Sequence, residues 1–207
     1  MTLPSNNYNS RVLLKRLKET LSELGEAQAR LNKIVKIIAV SMKSEVCSIY
    51  LINRNNNLEL YATEGLQSKA VHYSELNVGQ GLVGKIAATA EPIKTSQVSE
   101  TKGFRYLPET GEEIYNSFLG VPIQRLGKIL GVLVIQNLKN REFTEDDIYG
   151  LEIVAMVIAE MAELGAFTNS DDTNELIQEK KKTFFYKWIN RKRRYSYWHY
   201  SIIGTSN

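Results

Sequence analysis

The N-terminal part of the chain has a helical hydrophobic pattern. Between residues 10 and 43, apolar positions follow alternating steps of three and four residues, the spacing of one helix face. Gly25 lies off this seam, so we expect two helices. Residues 26–43 should pack on a core, whereas the helix within residues 1–25 should either pair two subunits or fold back on its own domain. The seam consists of Leu14, Leu17, Leu21, Leu24, Gln28, Leu31, Val35, Ile38 and Met42.

The next segments alternate as strands do. The stretch 46–52 is rich in β-branched residues, and a polar turn separates it from a second strand in which Leu58, Leu60 and Ala62 are expected to share one face. Residues 65–78 show no regular pattern. A short helix is predicted over residues 84–91 and a short strand over 92–96, before a long polar connection of residues 97–116.

The pattern after residue 117 predicts two strands and a capped helix. Residues 129–135 are apolar on both faces, which indicates a central strand covered on each side. Pro122 has no amide proton, so the preceding strand should bend or lie near an edge. Thr144 and Asp147 have the spacing of a capping box for a helix that reaches about Gly165. The fold class is therefore α+β, an antiparallel sheet with helices layered on it.

Composition narrows the class of protein. The chain has 207 residues and 43% hydrophobic content but no apolar run of membrane-spanning length, and its single cysteine, Cys47, fits a cytoplasmic protein. The net charge of +3 is uneven: residues 168–207 hold eight basic and four acidic residues (+4), which leaves 18 basic and 19 acidic residues (−1) elsewhere. The basic character therefore belongs to the C-terminal tail.

Several motifs with possible chemistry are weak. Gly79, Gly81 and Gly84 match a dinucleotide fingerprint, but no βαβ pattern surrounds them, so we interpret them as a tight turn in which Gly84 permits close packing. With only two histidines, His72 and His199, no metal site, catalytic residue or cofactor is expected. Cys47 lies within a strand on an apolar face and is interpreted as a structural residue.

The order of motifs resembles a GAF domain. The segments are VCSIYL (46–51), LELYATEG (58–65), VGQGLVG (78–84), EPI (91–93), FRYLPETGEE (104–113), SFLGVPI (117–123), GVLVIQN (131–137) and FTEDD (143–147). The resemblance is greatest to the N-terminal regulatory GAF domain of the nitrogen-related phosphotransferase enzymes I, which are phosphoenolpyruvate–protein phosphotransferases. It implies a central sheet of about five or six antiparallel strands, with the N- and C-terminal helices on one side and a pocket on the other.

The resemblance also implies a function. Such a domain senses a small molecule, with glutamine as the effector expected for nitrogen status, and a homodimer through the N-terminal helices and contacts with phosphotransferase components are expected. Arg105 would pair with a ligand carboxylate and Glu109 with its amine. The expected ligand-binding residues are Tyr61, Phe104, Arg105, Tyr106, Glu109, Thr110 and Phe118. The alternatives are an interaction module that binds no ligand and a remnant of the phosphotransferase.

The domain organisation follows from these patterns. We expect a helix in residues 1–25, a GAF domain in 26–166, and a linker with a basic aromatic tail in 167–207. The resemblance stops near residue 164, before any phosphohistidine or phosphoenolpyruvate-binding domain, so we expect a truncated, non-catalytic sensor. The tail is interpreted as a shifted-frame product, with binding of nucleic acid or membrane as the less favoured alternative.

Overall fold

The computed structural model describes residues 6–22, 26–101, 109–111 and 114–163, with side chains from Val12 onward. The chain divides into two units, Met1–Phe167 and Thr168–Asn207, and every described residue belongs to the first. The predicted tail lies outside the described residues. The helices are α1 (Asn6–Ser22), α2 (Ala27–Met42), α3 (Gly81–Thr89) and α4 (Glu145–Glu163), and the strands are β1 (Val46–Ile52), β2 (Asn57–Glu64), β3 (Glu75–Asn77), β4 (Ile93–Thr95), β5 (Ser117–Arg125) and β6 (Lys128–Asn137).

The strands form one six-stranded antiparallel sheet in the order β3-β2-β1-β6-β5-β4. β6 lies between β1 and β5, which confirms the prediction of a central strand. β4 pairs with β5 only from Phe118 to Gly120, so Pro122 lies where β5 has become an edge. A missing amide proton therefore breaks no ladder there, as the sequence predicted.

Three helices cover one face of this sheet, which confirms the predicted layer. α1, α2 and α4 contribute apolar side chains to one buried cluster with the inward residues of the strands, and Cys47 lies within it. The structure places Leu13 and Leu17 of α1 in this cluster, whereas Leu14 of the predicted seam is exposed. The first helix thus folds back on its own domain, which was the alternative to pairing.

β2 differs from its predicted alternation because it contains a bulge. Ile49 of β1 pairs with Ala62 and Tyr50 pairs with Leu60, so Tyr61 is an extra residue with no partner in the register. The bulge turns Ala62 toward the helix layer, whereas Leu60 faces the opposite cluster. The prediction that Leu58, Leu60 and Ala62 share one face was therefore wrong at Ala62.

The segment predicted to be irregular contains a third strand, because Glu75–Asn77 pairs with the start of β2. A glycine turn then leads into α3. At Gly84 an added Cβ would lie 2.5 Å from the carbonyl oxygen of Asn77, so the close packing predicted for this glycine is real. The preceding strand is short and antiparallel, and the geometry is therefore not that of a dinucleotide site.

Arg141 joins the end of α2 to the start of α4. Its guanidinium donates to the carbonyl oxygens of Met42 at 2.6 Å and Lys43 at 3.2 Å, and to Asp147 Oδ1 at 2.9 Å. Asp147 Oδ2 also accepts from the Thr144 amide at 2.9 Å, and the Asp147 amide donates to Thr144 Oγ1 at 3.2 Å, which confirms the predicted capping box. The Arg141 side chain therefore supplies donors to the carbonyl oxygens at the C-terminus of α2 and contacts Asp147 at the N-terminus of α4.

Candidate functional site

The face of the sheet opposite the helix layer is covered in part by α3. Ile86 of α3 packs over Gly120, where an added Cβ would lie 2.5 Å from Ile86 Cδ1. This contact places α3 over β5 and β6. The strand ends at residue 46 of β1, residue 64 of β2 and residue 137 of β6 lie beside the part of the face that α3 covers. The cluster beneath α3 is apolar and includes Tyr50, Leu60 and Phe118.

Polar side chains interrupt this apolar face at those strand ends. Ser48 and Thr63 are register partners, and their hydroxyl oxygens lie 2.9 Å apart. Gln136 of β6 lies opposite Phe118 and is diagonal to Ser48, on the same face of the sheet. Ser48 and Gln136 are buried. We call Ser48, Thr63, Gln136 and Phe118 the floor of the site.

The described residues before β5 are tied to both sides of these strand ends. Gln67 donates its amide to the carbonyl of Thr110 at 3.1 Å, and Ser74 Oγ donates to Glu109 at 3.1 Å, which ties residues 109–110 to the β2 side of the sheet. The chain then reaches β5 at Ser117, three strand spacings away, about 14 Å. The Asn116 amide also donates to the carbonyl of Asn137 at 2.9 Å, so residues 109–111 and 114–116 are bonded to the ends of β2 and β6 where the floor lies, and we call them the roof of the candidate site.

The roof is anchored by Tyr115. Its hydroxyl donates to the carbonyl oxygen of Gly65 at 3.1 Å. Burial, with the nearby Glu45 carboxylate as the smaller cause, raises the pKa of Tyr115, so the ring stays neutral and keeps its proton for this bond. Among the described residues of the roof, Glu109 is the one with a charged side chain.

The predicted ligand-binding residues divide into three groups. Glu109 bonds Ser74 and Thr110 bonds Gln67 on the β2 side of the sheet, whereas Phe118 lies in the apolar cluster with α3. Tyr61 packs on the opposite face with the helix layer, its ring edge-on to His72 at 5.0 Å, so it does not line this site. Phe104, Arg105 and Tyr106 lie outside the described residues.

Sequence reasoning missed Ser48, Thr63 and Gln136. A signal was present, because Ser48 and Gln136 are polar residues inside strands that are otherwise apolar, and buried polar groups are costly without partners. The described residues hold no group of three potential metal ligands, and no described helix has the length and hydrophobicity to cross a bilayer. Burial strongly raises the pKa of the Cys47 thiol, as expected for a structural cysteine.

A separate polar cluster lies on the helix side of β2. His72 Nδ1 lies 2.7 Å from Glu59 Oε1, and His72 Nε2 lies 2.9 Å from Gln28 Oε1. Gln28 Nε2 donates to the carbonyl of Tyr61 at 2.8 Å. The cluster therefore connects the first turn of α2 to β2 at the bulge.

The fold defines a class: an antiparallel sheet with a helix layer on one face and, on the other, a short helix beside a patch of buried polar side chains. The GAF domain family matches residues 26–161, and the chain belongs to this family. The site described above therefore lies within the matched region.

Individual relatives agree with this assignment. The chain is 32% identical over 139 residues to a protein of Escherichia coli K12 named for the phosphoenolpyruvate-dependent phosphotransferase system, covering 65% of this chain and 19% of that protein. It is 28% identical over 147 residues to a Nif-specific regulatory protein of Azospirillum lipoferum, covering 67% of this chain and 23% of that protein. The chain thus spans about a fifth of the length of these curated relatives.

A solved structure is also similar. The GAF domain of a phosphoenolpyruvate–protein phosphotransferase from Coxiella burnetii superposes with a TM-score of 0.73 at 29% identity, over 78% of this chain and 96% of that one. The domain described here is therefore related to the GAF domains of the phosphotransferase system.

Proposed function

We propose that this domain is a small-molecule sensor with a regulatory role in a nitrogen-related phosphotransferase system. The observation that carries the proposal is the buried polar floor, Ser48 and Gln136, beneath a roof tied down by side-chain and backbone hydrogen bonds. A mostly apolar concavity with a few convergent polar groups is the usual form of a ligand site. Nif-specific regulators among the relatives support a link to nitrogen metabolism.

The ligand class proposed is an amino acid, with glutamine as the first candidate. Arg105 pairs with the ligand carboxylate and Glu109 with its amine, because a bidentate guanidinium and a carboxylate are the groups that match those two charges. Gln136 can donate to and accept from a side-chain amide. In this proposal Phe104 and Tyr106 cover the ligand, and Thr110 and Phe118 complete the site. Tyr61 is not part of the proposed site, because its ring lies on the other face of the sheet.

The proposed output is a population shift. Ligand contact at Glu109 competes with its bond to Ser74, and Ser74 is two residues from His72, which contacts α2 through Gln28. A ligand that binds one arrangement of this segment more tightly biases the position of the helix layer. The partners that read this change are phosphotransferase components in the cytoplasm, a reducing compartment that suits a lone buried cysteine.

Titration calorimetry of the full chain tests the proposal, with glutamine, glutamate and asparagine as ligands. We expect glutamine to bind, and R105A and E109A each to weaken binding at least tenfold. E91A, which removes an acidic residue at the end of α3, is the matched control and should bind as the wild type does. Unchanged affinity in R105A and E109A would remove the residue assignment.

The alternative is an interaction module that binds no small molecule. The exposed apolar residues of α4 favour it. Absence of binding and of any thermal shift with all three amino acids, in a protein that still associates, would support this alternative and reject the sensor.

A further inference from the structure

Gln136 is a buried polar residue of the floor whose side chain is unpaired. The residue is 3% exposed, and its carboxamide makes no hydrogen bond with any other described residue. Ser48, the other buried polar residue of the floor, is satisfied by Thr63 at 2.9 Å. A primary amide has two donors and two acceptor positions, so burying it without a partner is costly. Gln136 therefore keeps a hydrogen-bonding capacity that the described part of the chain does not use.

The carboxamide lies on the face of the sheet that carries the candidate site. Gln136 is the register partner of Phe118 and so shares the face of the apolar cluster beneath α3. Among the described residues, no polar side-chain atom is both fully enclosed and unpaired, so the carboxamide of Gln136 keeps some access from outside the protein. A buried polar group without a protein partner is rare in native proteins, and at an accessible position it indicates a group that binds a ligand.

The charges at this end of the sheet favour a neutral ligand group. The Glu45 carboxylate accepts a hydrogen bond at 2.7 Å from the side chain of Asn137, the residue that follows Gln136. Arg141 also contacts Asn137, at 3.4 Å, but its guanidinium is paired with Asp147. A ligand carboxylate beside Gln136 would therefore lie near a like charge, whereas a neutral amide would not be repelled.

We infer that Gln136 binds the side-chain carboxamide of the ligand and selects against the corresponding carboxylate. The inference rests on the proposed sensor function and deepens it, because it assigns the residue that distinguishes glutamine from glutamate. Two amides placed edge to edge form two parallel N–H···O bonds, in which each amide donates once and accepts once. A ligand carboxylate has no proton to donate, so Oε1 of Gln136 would face a negative oxygen. A site built to hydrogen-bond a polar group discriminates strongly against an analogue that lacks the donor.

Titration calorimetry of the full chain with glutamine and glutamate tests this assignment. We expect the wild type to bind glutamine at least about tenfold more tightly than glutamate. Gln136→Met removes the donor and the acceptor at similar side-chain size, so it should bind glutamine at least about tenfold more weakly and lose most of the selectivity. Gln124→Met is the matched control, because Gln124 is exposed on the neighbouring strand β5, and this variant should bind as the wild type does.

A second measurement needs no ligand. Because the Gln136 amide has no protein partner, Gln136→Met should melt at a temperature no lower than that of Gln124→Met, whereas loss of a structural hydrogen bond would lower it. A lower melting temperature would assign the side chain to the fold and overturn the inference.

The binding data separate this inference from the sensor function. Equal affinity of the wild type for glutamine and glutamate, or undiminished selectivity in Gln136→Met, would overturn the role of Gln136 while the domain still binds an amino acid. A wild type that binds neither amino acid would remove the proposed ligand class and this inference together.

Discussion

Arg141 offers a sharp test of how the helix layer is held. Its guanidinium bonds the last carbonyl oxygens of α2 and Asp147 at the start of α4, and it lies 4.7 Å from the centroid of the Phe143 ring. The Arg141 and Asp147 side chains are only 25% and 17% exposed, so water replaces these contacts poorly. Arg141→Ala therefore removes the group that joins the two helices.

The expected cost follows from these contacts. A hydrogen bond to a charged group contributes about 1.5–3 kcal/mol, and a cation–π contact adds about 0.5–1 kcal/mol. Because the contacts share one side chain and are not additive, we expect a total loss of about 4 kcal/mol. At roughly 2–4 °C per kcal/mol for a domain of this size, the melting temperature should fall by about 8–16 °C. Arg141→Lys should lose roughly half as much energy, because an ammonium cannot reproduce the planar fork.

Urea unfolding followed by far-ultraviolet circular dichroism is the suitable assay, because it follows the helices of this domain directly, whereas both tryptophans, Trp188 and Trp198, belong to the second unit. Lys94→Ala is the matched control. Lys94 also bonds the start of α4, at Glu145 with 2.8 Å, but both side chains are largely exposed, so its loss should cost under about 1 kcal/mol. A loss below about 1 kcal/mol in Arg141→Ala, or a fully stable Arg141→Lys, would refute the reasoning.

Three further outcomes are expected. Cys47 should react with a thiol reagent only as fast as the domain unfolds. Because burial raises the pKa of its thiol in the folded state, only the unfolded state ionises near the ordinary thiol pKa of about 8.5. The free energy of unfolding should therefore fall above that pH, and fall less steeply in Cys47→Ala, as urea midpoints at two pH values would show. Gly131→Ala would place a Cβ against the carbonyl oxygen of Tyr50 in β1, and should lower the free energy of unfolding by about 3 kcal/mol or more in thermal melting. Gly150→Ala on α4 is the control: its added Cβ meets nothing within 4 Å, so this variant should be more stable by about 0.5–1 kcal/mol. His72→Ala should cost about 1 kcal/mol and speed amide hydrogen exchange around Gln28 in the first turn of α2; unchanged exchange would show that His72 does not hold that turn.

Local patterns predicted the elements that depend on local chemistry. The capping box at Thr144 and the edge position of Pro122 each follow from one residue's hydrogen-bonding capacity. The bulge at Tyr61 could not be predicted this way, because a regular strand and a bulged one fit the same alternation of residues. Pairing with Ile49 and Tyr50 of β1 decides the register, and that is a tertiary contact.

The candidate site was predictable only in part for the same reason. Glu109, Thr110 and Phe118 stay predictions as ligand-binding residues: the structure ties the first two to the β2 side of the sheet and places the third in the apolar cluster with α3. Tyr61 was assigned to the site on its residue type alone, and the bulge decides which face it occupies. Gln136 was missed because its strand was judged by its apolar residues, although a polar side chain inside a central strand is the position that most requires a partner.

Residues 72–74 connect the two faces of the sheet. The amide and carbonyl of Leu60 bond the carbonyl of Ser74 at 3.0 Å and the amide of His72 at 2.8 Å, so one short segment is fixed to β2 at both residues. From this segment Ser74 reaches Glu109 over the site, whereas His72 reaches Gln28 in the helix layer. In the proposed mechanism, a ligand that displaces Glu109 acts on a segment whose other side chain contacts α2. Because these contacts are hydrogen bonds of defined geometry rather than apolar packing, we propose that this segment carries a change at the candidate site to the helix layer.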